Sequence, residues 1–413
     1  MKILLIHQYF LEKNDGGGSR WNEMTKFWAE QGHEITVLAG MVNYNTGKKY
    51  EHYKGKHFSD QKNYNQRVRV IRSHVSESYN VNFLGRFWAY FSFVFSSSWA
   101  GIFIAKDKYD VIIVTSPPLF VGITANILSF IKKVPYVFEI RDLWPESAID
   151  TKVLTNNSII KLSFIFEAFI YRRAKLINVL TPAFRFNLIQ KKNVPEEKII
   201  FIPNAADFNL VEKQLFNFDP IQFRNKHNIE LDKFVITYVG AHGVANNLIQ
   251  ILETAELLRD ENLLFLLIGD GMQKPMLKKI AIEKQLLNVR FVDSVPKSEV
   301  FKYILASNMG TSVLKKVDTF KTVYSNKSFD YMSCKKPILM LIDGVSRELV
   351  ESAKCGIYVE PENPYDFRNK ILLYLNDKDR LIQEGLNGYN FAKTYFDRNY
   401  LAEKYLNEIK KIV

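Results

Sequence analysis

The apolar positions of this chain follow two periods in turn. "KILLIH" near the start is a continuous apolar run of the length a buried strand takes. After it, "SRWNEMTKFWAEQG" sets Trp21, Met24, Phe27 and Trp28 at helical spacing, and Gly32 can close the helix. "HEITVLAG" reads as the next strand, followed by "DVIIVT" (110–115), "YVFEI" (136–140) and "LINVLT" (176–181) with helical segments between them. Apolar strands alternating with helices predict a parallel sheet covered on both faces.

A second series opens at "FVITYVG" (234–240). A helix over 246–260, the strand "LLFLLIGDG" (263–271) and a helix over 273–285 follow. The strands "VRFVD" and "MGTSVL", a short helix over 326–333 and the strand "PILMLI" complete it. The pattern predicts an α/β protein of two Rossmann-like domains facing across a cleft, 1–205 and 206–394, with a final helix over 395–413 that packs back on the first. The join falls in 202–220, which reads as irregular and ends in Pro220. Open α/β sheets bind ligands beyond the carboxyl ends of their strands, so that cleft is the expected site.

Length and composition agree with this layout. A chain of 413 residues is too long for one core, and 47% apolar with 24% charged residues describes a folded globular protein. Only Cys334 and Cys355 are present, too few for a disulfide framework or a zinc module, which fits a reducing cytoplasm. "MKILLIHQYF" reads as a strand without a signal-peptide cleavage site, so export is not expected. The net charge is +12, of which residues 1–205 carry +10 and the remainder +2. A basic first half suits an anionic partner: nucleic acid, a phosphate-bearing substrate or a membrane surface. The aromatics sit in apolar runs, not among the Lys and Arg residues, so nucleic acid is not expected as a partner.

Six stretches carry candidate chemistry. "NDGGGSR" (14–20) follows the first strand; its glycines, Gly17 and Gly18 among them, allow backbone N–H groups to approach an anion, and the bland alternative is a flexible loop. It lacks the GxGxxG spacing of a dinucleotide site. "EIRDLWPES" (139–147) places Glu139 and Arg141 on one side of a strand by the period of two, with Asp142 at the strand's end; a structural ion pair is the alternative. Residues 87–105 carry no charge and predict a partly exposed interfacial helix or else a buried one. The basic amphipathic run over 159–177 adds to the case for an anionic lipid surface. "YVGAHGVANNL" (238–248) brackets His242 between Gly240 and Gly243, where a loop filler competes with a phosphate contact. In "YSNKSFDYMSCKKPIL" (324–339), Lys327 on the first turn of a short helix suggests an anion above it. "DKD" (377–379) sits in a polar turn and not after a strand, so neither a catalytic metal nor a cofactor is expected.

In this order the motifs "GGGSR", "EQGHEITVLAG", "DVIIVTSPP", "YVFEIRDLWPE", "IPNAAD", "YVGAHGVANNL", "LIGDG" and "SNKSFDYMSCKKPIL" resemble the GT-B-fold glycosyltransferases of family 4 over nearly the whole chain. The "VTSPP", "RDLWPE" and "GAHG" forms look like the branch that builds O-antigen and capsule sugars, including transferases of N-acetyl-L-fucosamine. The resemblance implies a retaining, metal-independent transfer from a UDP-sugar to a polyprenyl-diphosphate-linked saccharide. It implies a protein of the cytoplasm, peripheral on the inner face of the plasma membrane. It places Asp330 on the ribose hydroxyls and Lys327 with the helix start on the diphosphate. Gly17, Gly18, His242, Gly243, Asn246, Ser325 and Asn326 complete the donor side, and Arg141, Asp142 and Glu139 form the catalytic set. The chain departs from the family at Thr322, where a Glu is usual, at Arg141, where a His is usual, and at Lys335, where a Gly ends the late helix. Lys335 would need a costly left-handed backbone there. An epimerase of the same architecture and an inactive carbohydrate-binding scaffold are the alternative readings.

Overall fold

The computed structural model describes residues 1–12, 15, 20–43, 46–80, 83–150, 152 and 154–413. Gly17 and Gly18 lie outside them. The chain divides into two compact units, which exchange at Pro203/Asn204 and again at Arg398/Asn399.

The first unit holds an eight-stranded sheet ordered β3-β4-β2-β1-β5-β6-β7-β8. Its strands are β1 (Lys2–Ile6), β2 (Glu34–Gly40), β3 (Phe58–Asn65), β4 (Val68–Ser73), β5 (Val111–Thr115), β6 (Tyr136–Ile140), β7 (Leu176–Val179) and β8 (Ile199–Phe201). All neighbours are parallel except β3, which runs against β4 at the edge. The central strands are apolar on both faces because helices cover both; Ile3 to Ile6 are wholly buried. The helix Arg398–Lys410 belongs with this sheet, and the indole of the buried Trp28 donates to its Ala402 carbonyl.

The second sheet has six parallel strands in the order β11-β10-β9-β12-β13-β14, the doubly wound arrangement of a dinucleotide-binding fold. They are β9 (Phe234–Val239), β10 (Leu263–Ile268), β11 (Val289–Val292), β12 (Met309–Val313), β13 (Ile338–Leu341) and β14 (Gly356–Tyr358). Alternate residues of β13 serve two cores: Ile338 and Met340 pack with Phe329 and Met332, while Leu339 and Leu341 pack with Ile251 and Phe367.

Two readings change. The stretch 202–220 is not irregular: Asp207 caps a helix over Phe208–Leu215, whose Phe208 and Val211 are buried, and Asp219 caps Pro220–Lys226. Local caps and an i, i+3 apolar pair suffice to make that helix. Asp377 of "DKD" likewise starts a helix, Lys378–Tyr395, by accepting from the Arg380 N–H.

The helix Asn326–Ser333 ends in a Schellman motif, with the Lys336 N–H bonded to Tyr331 O and the Lys335 N–H to Met332 O. Lys335 takes the left-handed position at φ +56°, and its ammonium lies 4.8 Å from the Tyr389 ring centre. The backbone of the motif is kept and the strain is borne. Lys335→Gly is therefore expected to stabilise the fold by up to about 1 kcal/mol, the relief of strain being offset in part by the lost cation–π contact. Urea unfolding at equilibrium measures it.

Candidate active site

In the second sheet the strand order reverses between β9 and β12, where ligands of such sheets collect. β9 runs out at Gly240, whose φ is +143°. Gly269, at φ +140°, follows β10 next door, and a Cβ there would lie 1.9 Å from the Gly240 carbonyl oxygen. A Cβ on Gly271 would lie 2.5 Å from the His242 carbonyl. The two loops meet backbone to backbone, and no side chain fits between them. Lys274, itself buried, holds the same corner: its ammonium donates to Gly269 O at 2.7 Å and Val292 O at 3.1 Å, and pairs with Asp270 and Asp293.

His242 is fully buried in this corner, near Tyr238 and Phe291. Among the described residues neither ring nitrogen has a partner, and burial pushes its pKa down to about 4, with the Lys274 charge pushing the same way. Gly243 accepts from the Asn246 N–H at 3.1 Å in the short turn Val244–Asn246.

Lys327 crosses toward the end of β9. Its ammonium lies 4.9 Å from the Tyr238 ring centre, and its Cε would be 3.3 Å from a Cβ on Gly240. Burial lowers its pKa to about 8, against the pull of Asp330. Asp330, half-buried, is pushed up by burial while Lys297, Arg398 and Lys327 pull it back. Asp207 stands in the same cluster, 3.3 Å from Lys297 and 3.7 Å from Arg398. Ser325 caps nothing with its side chain; its Oγ is 2.7 Å from Ser312 Oγ and its N–H donates to Ser346. Asn326 accepts from Asn204 at 2.6 Å. Lys327 and Asp330 are thus brought together with the Gly240 turn, whereas Ser325 is bound into the sheet.

The first unit separates residues that adjoin in sequence. β6 ends at Ile140, so Arg141 does not share a strand face with Glu139. Glu139 is wholly buried and salt-bridged to Arg20 at 3.0 Å, and it accepts from Asn178 at 2.8 Å. Arg20 also donates to the carbonyls of Ile202 and Pro203. Arg141 and Asp142 lie past the strand, both half-buried. Burial raises the Asp142 carboxyl, while a hydrogen bond from Ser147 opposes the rise. The "RDLWPE" loop continues into an aromatic cluster: Phe120 has Phe87 at 4.9 Å, Phe91 at 5.0 Å, Trp144 at 5.4 Å and Phe166 at 5.7 Å, centre to centre.

Several neighbours were not anticipated. Asn178 is the amide inside the otherwise apolar run "LINVL", a signal that was legible. Asp207, Lys297 and Arg398 lie far apart in sequence, and no spacing rule gathers them. Among the described residues, no three His, Cys, Asp or Glu side chains converge as a metal site requires.

Two family descriptions match the chain. Residues 15–205 match a "Glycosyl transferase 4-like domain" and residues 220–390 "Glycosyl transferases group 1". With the two Rossmann-like sheets, these matches make the chain a glycosyltransferase of the GT-B type, family-4-like. It is 26% identical over 295 residues to WcaI of Escherichia coli, which carries the name of a colanic acid biosynthesis glycosyl transferase; the match covers 70% of this chain and 71% of that one. It is 25% identical to WbjE of Pseudomonas aeruginosa, named as a glycosyltransferase, over 62% of this chain and 63% of that one. The fold matches Anabaena HepE in complex with UDP over the full length of both chains, at TM-score 0.71 and 17% identity.

The depressed pKa of His242 makes a prediction for stability. The folded state excludes a proton that the unfolded chain binds near pH 6.5, so this contribution is complete above pH 6.5 and is lost as the pH falls toward 4. Between pH 7 and pH 5 the wild type should lose about 2 kcal/mol more than His242→Leu, as measured by urea unfolding at both pH values.

Proposed function

We propose that the protein moves a sugar, with retention of configuration, from a UDP-sugar to a saccharide carried on a polyprenyl diphosphate, in the synthesis of a surface polysaccharide. The observation that carries the donor half is the convergence of Lys327, Asp330 and the Gly240 turn at the switch point of the second sheet. A carboxylate there accepts hydrogen bonds from both ribose hydroxyls. Lys327 and the N–H groups opening the Asn326–Ser333 helix meet the diphosphate. As the bond from the sugar's anomeric carbon to the phosphate oxygen breaks, the electron pair passes to that oxygen and Lys327 stabilises the charge; the acceptor hydroxyl oxygen bonds to the same carbon on the same face, and its proton passes to the departing phosphate. Arg141 and Asp142 act on the sugar or acceptor, and His242 with Gly243 and Asn246 shapes the loop beside the phosphates. The UDP named in the HepE complex and the colanic acid named for WcaI support a UDP-sugar and a polysaccharide. The motif forms favour an N-acetylated amino sugar such as N-acetyl-L-fucosamine.

The acceptor half rests on the surface of the first unit. In the helix Phe83–Phe103, Leu84, Trp88, Phe95, Trp99 and Phe103 form one exposed stripe. In Asn157–Arg173, Leu162, Ile165 and Phe169 form another, ending at Arg172 and Arg173. Among the described residues no helix is long and apolar enough to cross a membrane. Apolar stripes bordered by cations on a basic unit suit peripheral attachment to an anionic leaflet, the inner face of the plasma membrane.

Asp330→Ala should weaken UDP and UDP-sugar alike, by roughly 10- to 150-fold, because the ribose is common to both. Lys327→Met should weaken UDP more than UMP. In the wild type, UDP affinity should fall as the pH rises through about 8, where free Lys327 loses its proton. Calorimetric titration tests all three, and unchanged affinity in Asp330→Ala would remove the donor-site assignment.

The protein should sediment with phosphatidylglycerol vesicles, less so at high salt. Phe95→Glu combined with Leu162→Glu should reduce binding at least tenfold, since each removes a large apolar anchor. Binding untouched by the pair would place the membrane contact elsewhere.

A further inference from the structure

The first sheet has its own switch point, between β1 and β5, and two polar residues follow β1 there without a use. His7 is 5% exposed and Gln8 1%. Among the described residues, His7 Nδ1 and both amide atoms of Gln8 have no hydrogen-bond partner. Their backbone is pinned: the His7 N–H donates to Leu38 O at 3.0 Å, and Gln8 O accepts from the Gly40 N–H at 2.8 Å. A Cβ on Gly40 would lie 2.8 Å from the same oxygen, so the backbone has no slack through which the side chains could find other partners.

Neighbouring buried groups find some partners, although Arg72 Nε and Trp21 Nε1 also lack one among the described residues. Arg72 donates to the carbonyls of Phe10, Gly40 and Leu11, and Ser116, just past β5, donates to Glu139 O at 3.2 Å. Gln8 has both amide atoms unmet, and buried amides are rarely left so. Burial and the nearby charges of Arg141 and Arg72 keep His7 neutral. A neutral imidazole and a primary amide each offer a donor and an acceptor. A phosphate would satisfy the donors alone and leave the Gln8 carbonyl unmet. Hydroxyl groups, which both donate and accept, satisfy the whole set.

We propose that His7 and Gln8 bind hydroxyl groups of the acceptor saccharide at the β1–β5 switch point and position it beside Arg141. This rests on the sugar-transfer reading above. A residue kept for a ligand carries a signature that a structural one lacks: filling its place with an apolar isostere spares the fold while harming function.

The test uses the whole protein, membranes of the source cells as supply of lipid-linked saccharide, and a set of radiolabelled UDP-N-acetyl sugars. For Gln8→Leu and, separately, His7→Leu, the melting temperature should be unchanged or higher. UDP affinity by calorimetry should stay within twofold. The membrane concentration giving half-maximal transfer should rise at least tenfold. A clear drop in melting temperature for both variants, or unchanged acceptor dependence in both, overturns the inference. Wild-type protein that neither binds UDP nor labels lipid would instead overturn the sugar-transfer reading itself.

Discussion

An arginine and a glutamate meet where almost no water reaches, and the geometry of the first unit hangs on them. Taking both charges out of water is costly, and only close pairing with every remaining valence met makes such a pair tolerable. Arg20 and Glu139 meet that condition: Asn178 donates to the carboxylate, and the guanidinium also reaches the carbonyls of Ile202 and Pro203. The Asn178 carbonyl oxygen in turn accepts from the Ile202 N–H at 2.9 Å. One network therefore fixes the helix after the glycine-rich stretch, the ends of β6 and β7, and the chain leaving β8. Arg141 and Asp142 inherit their place from it, because they begin where Glu139 is anchored.

The second unit meets the same need by other means. There the strand ends are drawn together by Lys274, an ammonium set on the carbonyl that follows β10 and the one that closes β11. Its partners Asp270 and Asp293 are largely exposed, so the charge stays solvated on one side and the corner avoids a fully buried pair. Lys327, the cation of the proposed donor site, has among the described residues an aromatic face and a half-buried carboxylate for company. That is a poor environment for an ammonium by itself and a good one once an anion arrives.

The sheets were readable because their strands are apolar on both faces, and such runs stand out without any partner in view. Four strands escaped notice: β3, whose "FSDQKNYN" is polar along most of its length, its partner β4, whose "VRVIRS" carries two arginines, and β8 and β14, which are only three residues long. The helix after Asp207 was lost to the expectation that a join is irregular. In the site, Lys327 and Asp330 were legible since a cation in a first turn and a carboxylate one turn later are local features. Arg141 was set beside Glu139 by carrying the period of two one residue past the strand's end, and the partner Glu139 has, Arg20, lies 119 positions away. His7 and Gln8 gave no sign at all, because an unmet hydrogen bond belongs to the folded arrangement and leaves no mark in the sequence.

The contact between Gly240 and Gly269 bears on how such an enzyme diversifies. Where backbone touches backbone, random mutagenesis has nothing to explore: any side chain at Gly269 must push the loops apart. With the donor site proposed above, variation in donor choice enters from less buried residues beside it, such as Asn246 and Asn326. A directed-evolution library for new donors would do best to hold both glycines constant and spend its diversity there.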